Sequence, residues 1–101
     1  MTGATANGNA GTGVLVEDNG SVIDSNASGN GDDGINIGSG VRVGNFDGVG
    51  GVTGSTTNNN GRTGIFLYCP ATAYDNTASK NAAGNLVTSD NTCLLLDNKT
   101  Q

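Results

Sequence analysis

The chain has 101 residues and a net charge of −5, and its four basic side chains, Arg42, Arg62, Lys80 and Lys99, are too scattered to neutralise a run of phosphates, so nucleic acid is not an expected partner. Val, Ile, Leu and Phe make up about a fifth of the chain while Gly, Asn, Thr and Ser make up about half, which leaves a choice between disorder and an all-β repeat. No stretch approaches the roughly 18 apolar residues of a membrane span, and residues 1–6 carry neither the basic nor the apolar part of a signal peptide.

The first repeating unit forms around Asn9, which follows Ala6 by three positions and precedes Val14 by five. The same spacing returns at Asn30 with Ala27 and Ile35, at Asn60 with Thr57 and Ile65, and at Asn81 with Ala78 and Leu86. The steps between these asparagines are 21, 30 and 21. A fourth column, Gly13, Gly34, Gly64 and Asn85, is expected to hold a left-handed turn residue, because Asn is the common substitute for Gly at positive φ. Met1, Val22, Val52 and Ala73 form an inward column, and one more step of 21 reaches Leu94, where a fifth unit begins.

Short β-branched pieces bounded by Gly and Asn predict strands at Ser21-Val22-Ile23, Gly34-Ile35-Asn36-Ile37 and Gly64-Ile65-Phe66-Leu67. The nine surplus residues of the long step fall between Ile37 and Val52, so residues 38–51 read as a Gly-rich insertion in one turn. A period of about 20 residues marks a solenoid, in which each unit closes its core only against its neighbours. The expected architecture is therefore all-β, about four coils, with residues 1–101 forming a single segment.

Stacking at about 4.8 Å places like side chains above one another. Asn suits such a column because its amide both donates and accepts, so Asn9, Asn30, Asn60 and Asn81 are expected to form a structural ladder.

The run Asn26-Ala27-Ser28-Gly29-Asn30-Gly31-Asp32-Asp33-Gly34-Ile35-Asn36-Ile37 resembles the repeat of right-handed parallel β-helix proteins, the pectate-lyase-like superfamily. Cys69-Pro70, Asn76-Thr77-Ala78, Gly84-Asn85-Leu86 and Cys93 are similar to the C-terminal coils of secreted bacterial members. The resemblance covers most of the chain and implies a right-handed parallel β-helix from an extracellular or cell-surface protein. It leaves function open, since the superfamily spans polysaccharide lyases and hydrolases, phage tailspikes, adhesins and members of no known activity.

Cys69 and Cys93 are separated by one coil plus three positions, which places them on the same side of neighbouring coils. Either a disulfide stapling the last coil or two free thiols fits that spacing; a bond would imply an oxidising compartment. With no His in the chain, Cys–His nucleophiles and nearly all zinc sites are removed.

Other motifs carry little. Gly29-Asn30-Gly31-Asp32-Asp33-Gly34 matches a dinucleotide-binding pattern but precedes a strand instead of a helix. Its aspartates, and Glu17-Asp18, read as solvated turn carboxylates, and no metal or other cofactor is expected. A glycan-cleaving enzyme needs gathered carboxylates, yet Asp24 and Asp75 share a column with Gly54 between them, and Asp32 faces Arg62.

Polysaccharide contact is the stronger active reading. Alternation sends Leu15, Asn36, Phe66 and Val87 outward in one column and Ile23, Thr53, Tyr74 and Leu95 in another. Phe66, Tyr68 and Tyr74, with Arg42 and Phe46 of the insertion, are candidate sugar-contact residues. None of the outward columns reads as Thr-rich, which argues against ice binding. Met1 falls within a coil already under way, so the expected partners include upstream coils of a longer chain, or another copy docking on the open coil end. The sequence-based expectation is a noncatalytic scaffold or carbohydrate-contacting module, with a polysaccharide lyase or hydrolase fragment, or a tailspike or adhesin segment, as the alternative.

Overall fold

A computed structural model describes residues 1–16, 20–37 and 50–101. Among them the regular elements are all strands: β1 (Val14–Val16), β2 (Ser21–Ile23), β3 (Asn26–Ser28), β4 (Ile35–Ile37), β5 (Gly51–Thr53), β6 (Thr56–Asn58), β7 (Thr63–Leu67), β8 (Thr72–Tyr74), β9 (Thr77–Ser79), β10 (Gly84–Thr88), β11 (Leu94–Leu96) and β12 (Lys99–Thr100). They assemble into three parallel sheets of four strands. The first sheet is β1-β4-β7-β10, the second β2-β5-β8-β11 and the third β3-β6-β9-β12, so the chain visits the sheets in turn and returns to each one level further on. No described helix is long and apolar enough to cross a membrane.

Register follows the asparagine spacing. Val14 pairs Ile35, Ile35 pairs Ile65 and Leu86 pairs Ile65, while Val22 pairs Val52 and Val52 pairs Ala73. The long step lies between β4 and β5. Residues 38–49 of the expected insertion, with Arg42 and Phe46, lie outside the described residues. The last two residues assigned to that insertion, Gly50 and Gly51, are buried, and Gly51 belongs to β5.

One step departs from the expected period. Leu94 pairs Thr72, and Leu95 takes the place in line with Ala73, so Leu96 rather than Leu95 continues the outward column Ile23, Thr53, Tyr74. An extra residue before Leu94, in the stretch that carries Cys93, makes this step 22, the separation that also joins Asn76 to Asn98.

The core is thin, as a cross-section one residue deep on each side requires. Val14, Val22, Ala27, Ile35, Val52, Ile65, Leu67, Ala71 and Ala73 form one buried cluster, with Ala6, Val16, Leu86 and Cys93 packed against it. Thr57 stands where the other levels carry Ala6, Ala27 and Ala78, and its Oγ1 is the buried side-chain polar atom without a partner among the described residues. A desolvated hydroxyl with no bond costs about 1–3 kcal/mol. Thr57→Val keeps the shape and removes the hydroxyl, so it is expected to raise the urea midpoint, adding about 1 kcal/mol of stability.

The Gly13, Gly34, Gly64 and Asn85 column is not left-handed: none of the four has positive φ. Close approach is the reason for glycine. A Cβ on Gly34 would lie 2.6 Å from the carbonyl oxygen of Gly64 and 2.7 Å from Nδ2 of Asn60. Left-handed backbone occurs instead at Gly3, Asp24, Gly54, Asp75 and Asp97, and at Gly8, Gly29, Asn59 and Lys80. These are the two corners that flank the third sheet.

Candidate functional site

Every left-handed corner residue except Gly3, which precedes Ala4, is followed at once by a side chain that bridges levels. At the corner after the third sheet, the backbone N–H and Nδ2 of Asn9 both donate to Oδ1 of Asn30 (3.0 Å each). Asn30 donates likewise to Oδ1 of Asn60 (3.0 and 3.1 Å), and Asn60 to Oδ1 of Asn81 (3.0 and 2.8 Å). Each Nδ2 also reaches back to a carbonyl of the preceding level: Asn30 to Ala6, Asn60 to Ala27, Asn81 to Thr57. An inner rung thus uses both donors and both lone pairs of its amide, which is why a polar column tolerates burial here.

The corner before the third sheet holds a second ladder that the sequence reading missed. Ala4 N–H donates to Oγ of Ser25, Ser25 N–H to Oγ of Ser55, and Ser55 N–H to Oδ1 of Asn76. Asn76 donates through N–H and Nδ2 to Oδ1 of Asn98, while Asn76 Nδ2 bonds Val52 O and Asn98 Nδ2 bonds Ala73 O. Two features hid it. Its residue type changes from Ser to Asn, and the step of 22 displaces Asn98 from an alignment built on steps of 21. The signal available was the pair Asp75-Asn76 repeated as Asp97-Asn98, matching Lys80-Asn81 and Asn59-Asn60 at the other corner.

Cys69 and Cys93 are bonded, with Cα atoms 4.9 Å apart. The bond ties the connection between β7 and β8 to the residue just before β11. Asp32 and Asp33 were both expected to be solvated, but they differ. Asp32 meets Arg62 at 3.1 Å in a solvent-exposed ion pair between levels, which contributes little to stability. Asp33 is 2% exposed, and its Oδ1 accepts the Thr63 backbone N–H. Glu17 and Asp18 lie outside the described residues. Among the described residues no group of three His, Cys, Asp or Glu side chains is arranged to hold a metal.

The candidate sugar-contact residues separate into two places. Phe66 and Tyr68 meet edge to face, ring centroids 5.0 Å apart, with Phe66 half-buried and Tyr68 exposed. Tyr74 is also exposed but stands on β8 in the second sheet, in the outward column of Ile23, Thr53 and Leu96. The first sheet aligns backbone positions Leu15, Asn36, Phe66 and Val87.

The third sheet presents a further outward face, which the sequence reading did not single out. Its columns are Thr5, Asn26, Thr56, Thr77, Lys99 and, beside it, Ser28, Asn58, Ser79. Thr fills three of the five places in the first of these columns, so the expectation that no outward column is Thr-rich does not hold for this sheet. Part of it is internally committed, since Ser28 Oγ donates to Asn26 Oδ1 and Ser79 Oγ to Asn58 Oδ1.

Comparison with protein-family models, with curated proteins and with solved structures gave no match.

Proposed function

We propose that the chain is a segment of a right-handed parallel β-helix from an extracellular or cell-surface protein, acting as a noncatalytic scaffold that contacts carbohydrate through Phe66 and Tyr68. Three parallel sheets visited in a fixed order support the solenoid reading, and right-handed winding follows from the twist of strands joined by crossover connections. The Cys69–Cys93 bond suits an oxidising compartment. Most of the amide and hydroxyl groups at the corners are consumed in holding level to level, which favours a scaffold.

The observation that carries the carbohydrate reading is the aromatic pair. Phe66 meets Tyr68 edge to face and so braces an exposed ring just past the end of β7, where a sugar ring can stack. Screening against immobilised plant, algal and bacterial polysaccharides tests it. Retention of at least one polysaccharide is expected, weakened about tenfold by Tyr68→Ala, equivalent to about 1.4 kcal/mol. Absence of any retained polysaccharide would overturn the contact. Release of unsaturated or reducing ends from polyuronides would replace the scaffold with the lyase or hydrolase alternative.

A further inference from the structure

The two inner rungs of the asparagine ladder are each followed by glycine, as Asn30-Gly31 and Asn60-Gly61. Asn-Gly is the pair in which an asparagine most readily loses its amide as ammonia, because glycine has no Cβ to shield the main-chain nitrogen that attacks. Stacking calls for both residues. The asparagine bonds the levels on either side, and a Cβ on Gly31 or Gly61 would overlap the carbonyl oxygen of Ala10 or Gly31. Where the same column carries Ala82, its N–H lies 3.1 Å from Asn60 O, against 2.7 Å for Gly31 to Asn9 O and 2.8 Å for Gly61 to Asn30 O.

In the fold every part of that reaction is held. Attack needs a free Gly61 nitrogen and an Asn60 side chain swung back over its own main chain. Gly61 N–H is instead bonded to Asn30 O, Oδ1 of Asn60 accepts two bonds from Asn30, and Nδ2 donates to Ala27 O and Asn81 Oδ1. Asn30 is fixed in the same way by Asn9, Ala6 and Asn60, with Gly31 N–H on Asn9 O. Both rungs are 2% exposed, so the water that completes the reaction is kept out as well. Asn7-Gly8 is the contrast: Asn7 is exposed, and its Oδ1 accepts the Ser28 N–H.

We infer that Asn30 and Asn60 are modification sites that only unfolding opens, and that conversion there is one-way. In the unfolded chain the Gly61 nitrogen attacks Cγ of Asn60. The N–Cγ bond forms, the Cγ–Nδ2 bond breaks, and the proton from the attacking nitrogen leaves with the amide as ammonia. Water then opens the cyclic imide at either carbonyl, giving Asp or its main-chain isomer. Both products replace Nδ2 by oxygen, which sets acceptor against acceptor at Ala27 O and Asn81 Oδ1, and the isomer also lengthens the main chain by a carbon. A buried acceptor or charge left without a donor opposes refolding. The inner rungs thus remain asparagine only in chains that have stayed folded.

Peptide mapping by mass spectrometry of the oxidised full chain tests the inference, after ageing in mildly alkaline buffer with and without urea above the unfolding midpoint. Folding is expected to slow conversion at Asn30 and Asn60 at least about a hundredfold, since reaction follows the small open population, and at Asn7 less than about tenfold. After dilution from urea, chains converted at Asn30 or Asn60 are expected in the fraction that a brief protease pulse digests, while chains converted at Asn7 alone survive it. Rungs that folding slows no more than Asn7, rungs that fail to convert in urea, or rung-converted chains that survive the pulse as unmodified ones do would each overturn it.

Discussion

Replacing Asn60 by alanine is expected to destabilise the fold by about 4 kcal/mol, a large part of the stability of a domain this size. The estimate follows from what loses a partner. Oδ1 of Asn60 accepts both the backbone N–H and the Nδ2 of Asn30, and Nδ2 of Asn60 satisfies Ala27 O; all three groups are buried. At about 1–3 kcal/mol for each orphaned group, the sum exceeds what the shorter side chain can recover by relaxation. Asn60→Asp separates hydrogen bonding from size. It keeps the acceptor for Asn30 but turns an unprotonated oxygen toward Ala27 O and Asn81 Oδ1.

That substitution also gives a pH signature. The charged form is disfavoured in the fold, so its pKa there is raised above the unfolded value. The Asn60→Asp deficit should therefore be smallest below the unfolded carboxylate range and grow as pH rises through the folded pKa. Urea midpoints measured from acid to neutral pH check both the size and the sign. A loss under about 1 kcal/mol for Asn60→Ala would mean that the rung is solvated.

The second large effect concerns the staple. Removing the disulfide with Cys69→Ser and Cys93→Ser opens a loop of 24 residues and is expected to cost about 3 kcal/mol. The loss should be local as well as global. Cys93 is the part of the last second-sheet level that packs on the core, while Leu94, Leu95 and Leu96 lie exposed. Amide exchange in β11 and β12 should rise before that in β4 and β7. An unchanged urea midpoint, with β11 still protected, would show that the last level stands on its sheet bonds alone.

Much of this architecture was legible because stacking forces identical positions to carry compatible residues. The columns Asn9, Asn30, Asn60, Asn81 and Val14, Ile35, Ile65, Leu86 could be read directly, and strand register follows them. Two errors came from treating the period as rigid and glycine as conformational. Glycine recurs at Gly13, Gly34 and Gly64 because a neighbouring amide fills the space where a Cβ would go, and sequence spacing cannot distinguish that need from positive φ. The step of 22 was invisible because Leu94, Leu95 and Leu96 are alike, so no residue type marks which one faces the core.

The candidate contact surface was less legible for a different reason. Outward side chains of the first two sheets meet solvent and vary in type from level to level, so nothing in the sequence distinguished the Phe66–Tyr68 pair from Tyr74, which stands on another sheet. The second ladder was missed because Ser25, Ser55, Asn76 and Asn98 do the same work with different side chains.

The central claim is that side-chain amides bond consecutive levels of a parallel stack. Solution NMR of the folded chain tests it most directly, through the side-chain amide protons of Asn60. The ladder predicts slow solvent exchange of those protons and through-space contacts both to Asn81, 21 residues ahead, and to Ala27, 33 residues behind. Rapid exchange at the Asn60 side chain, with contacts confined to its neighbours in sequence, would contradict it.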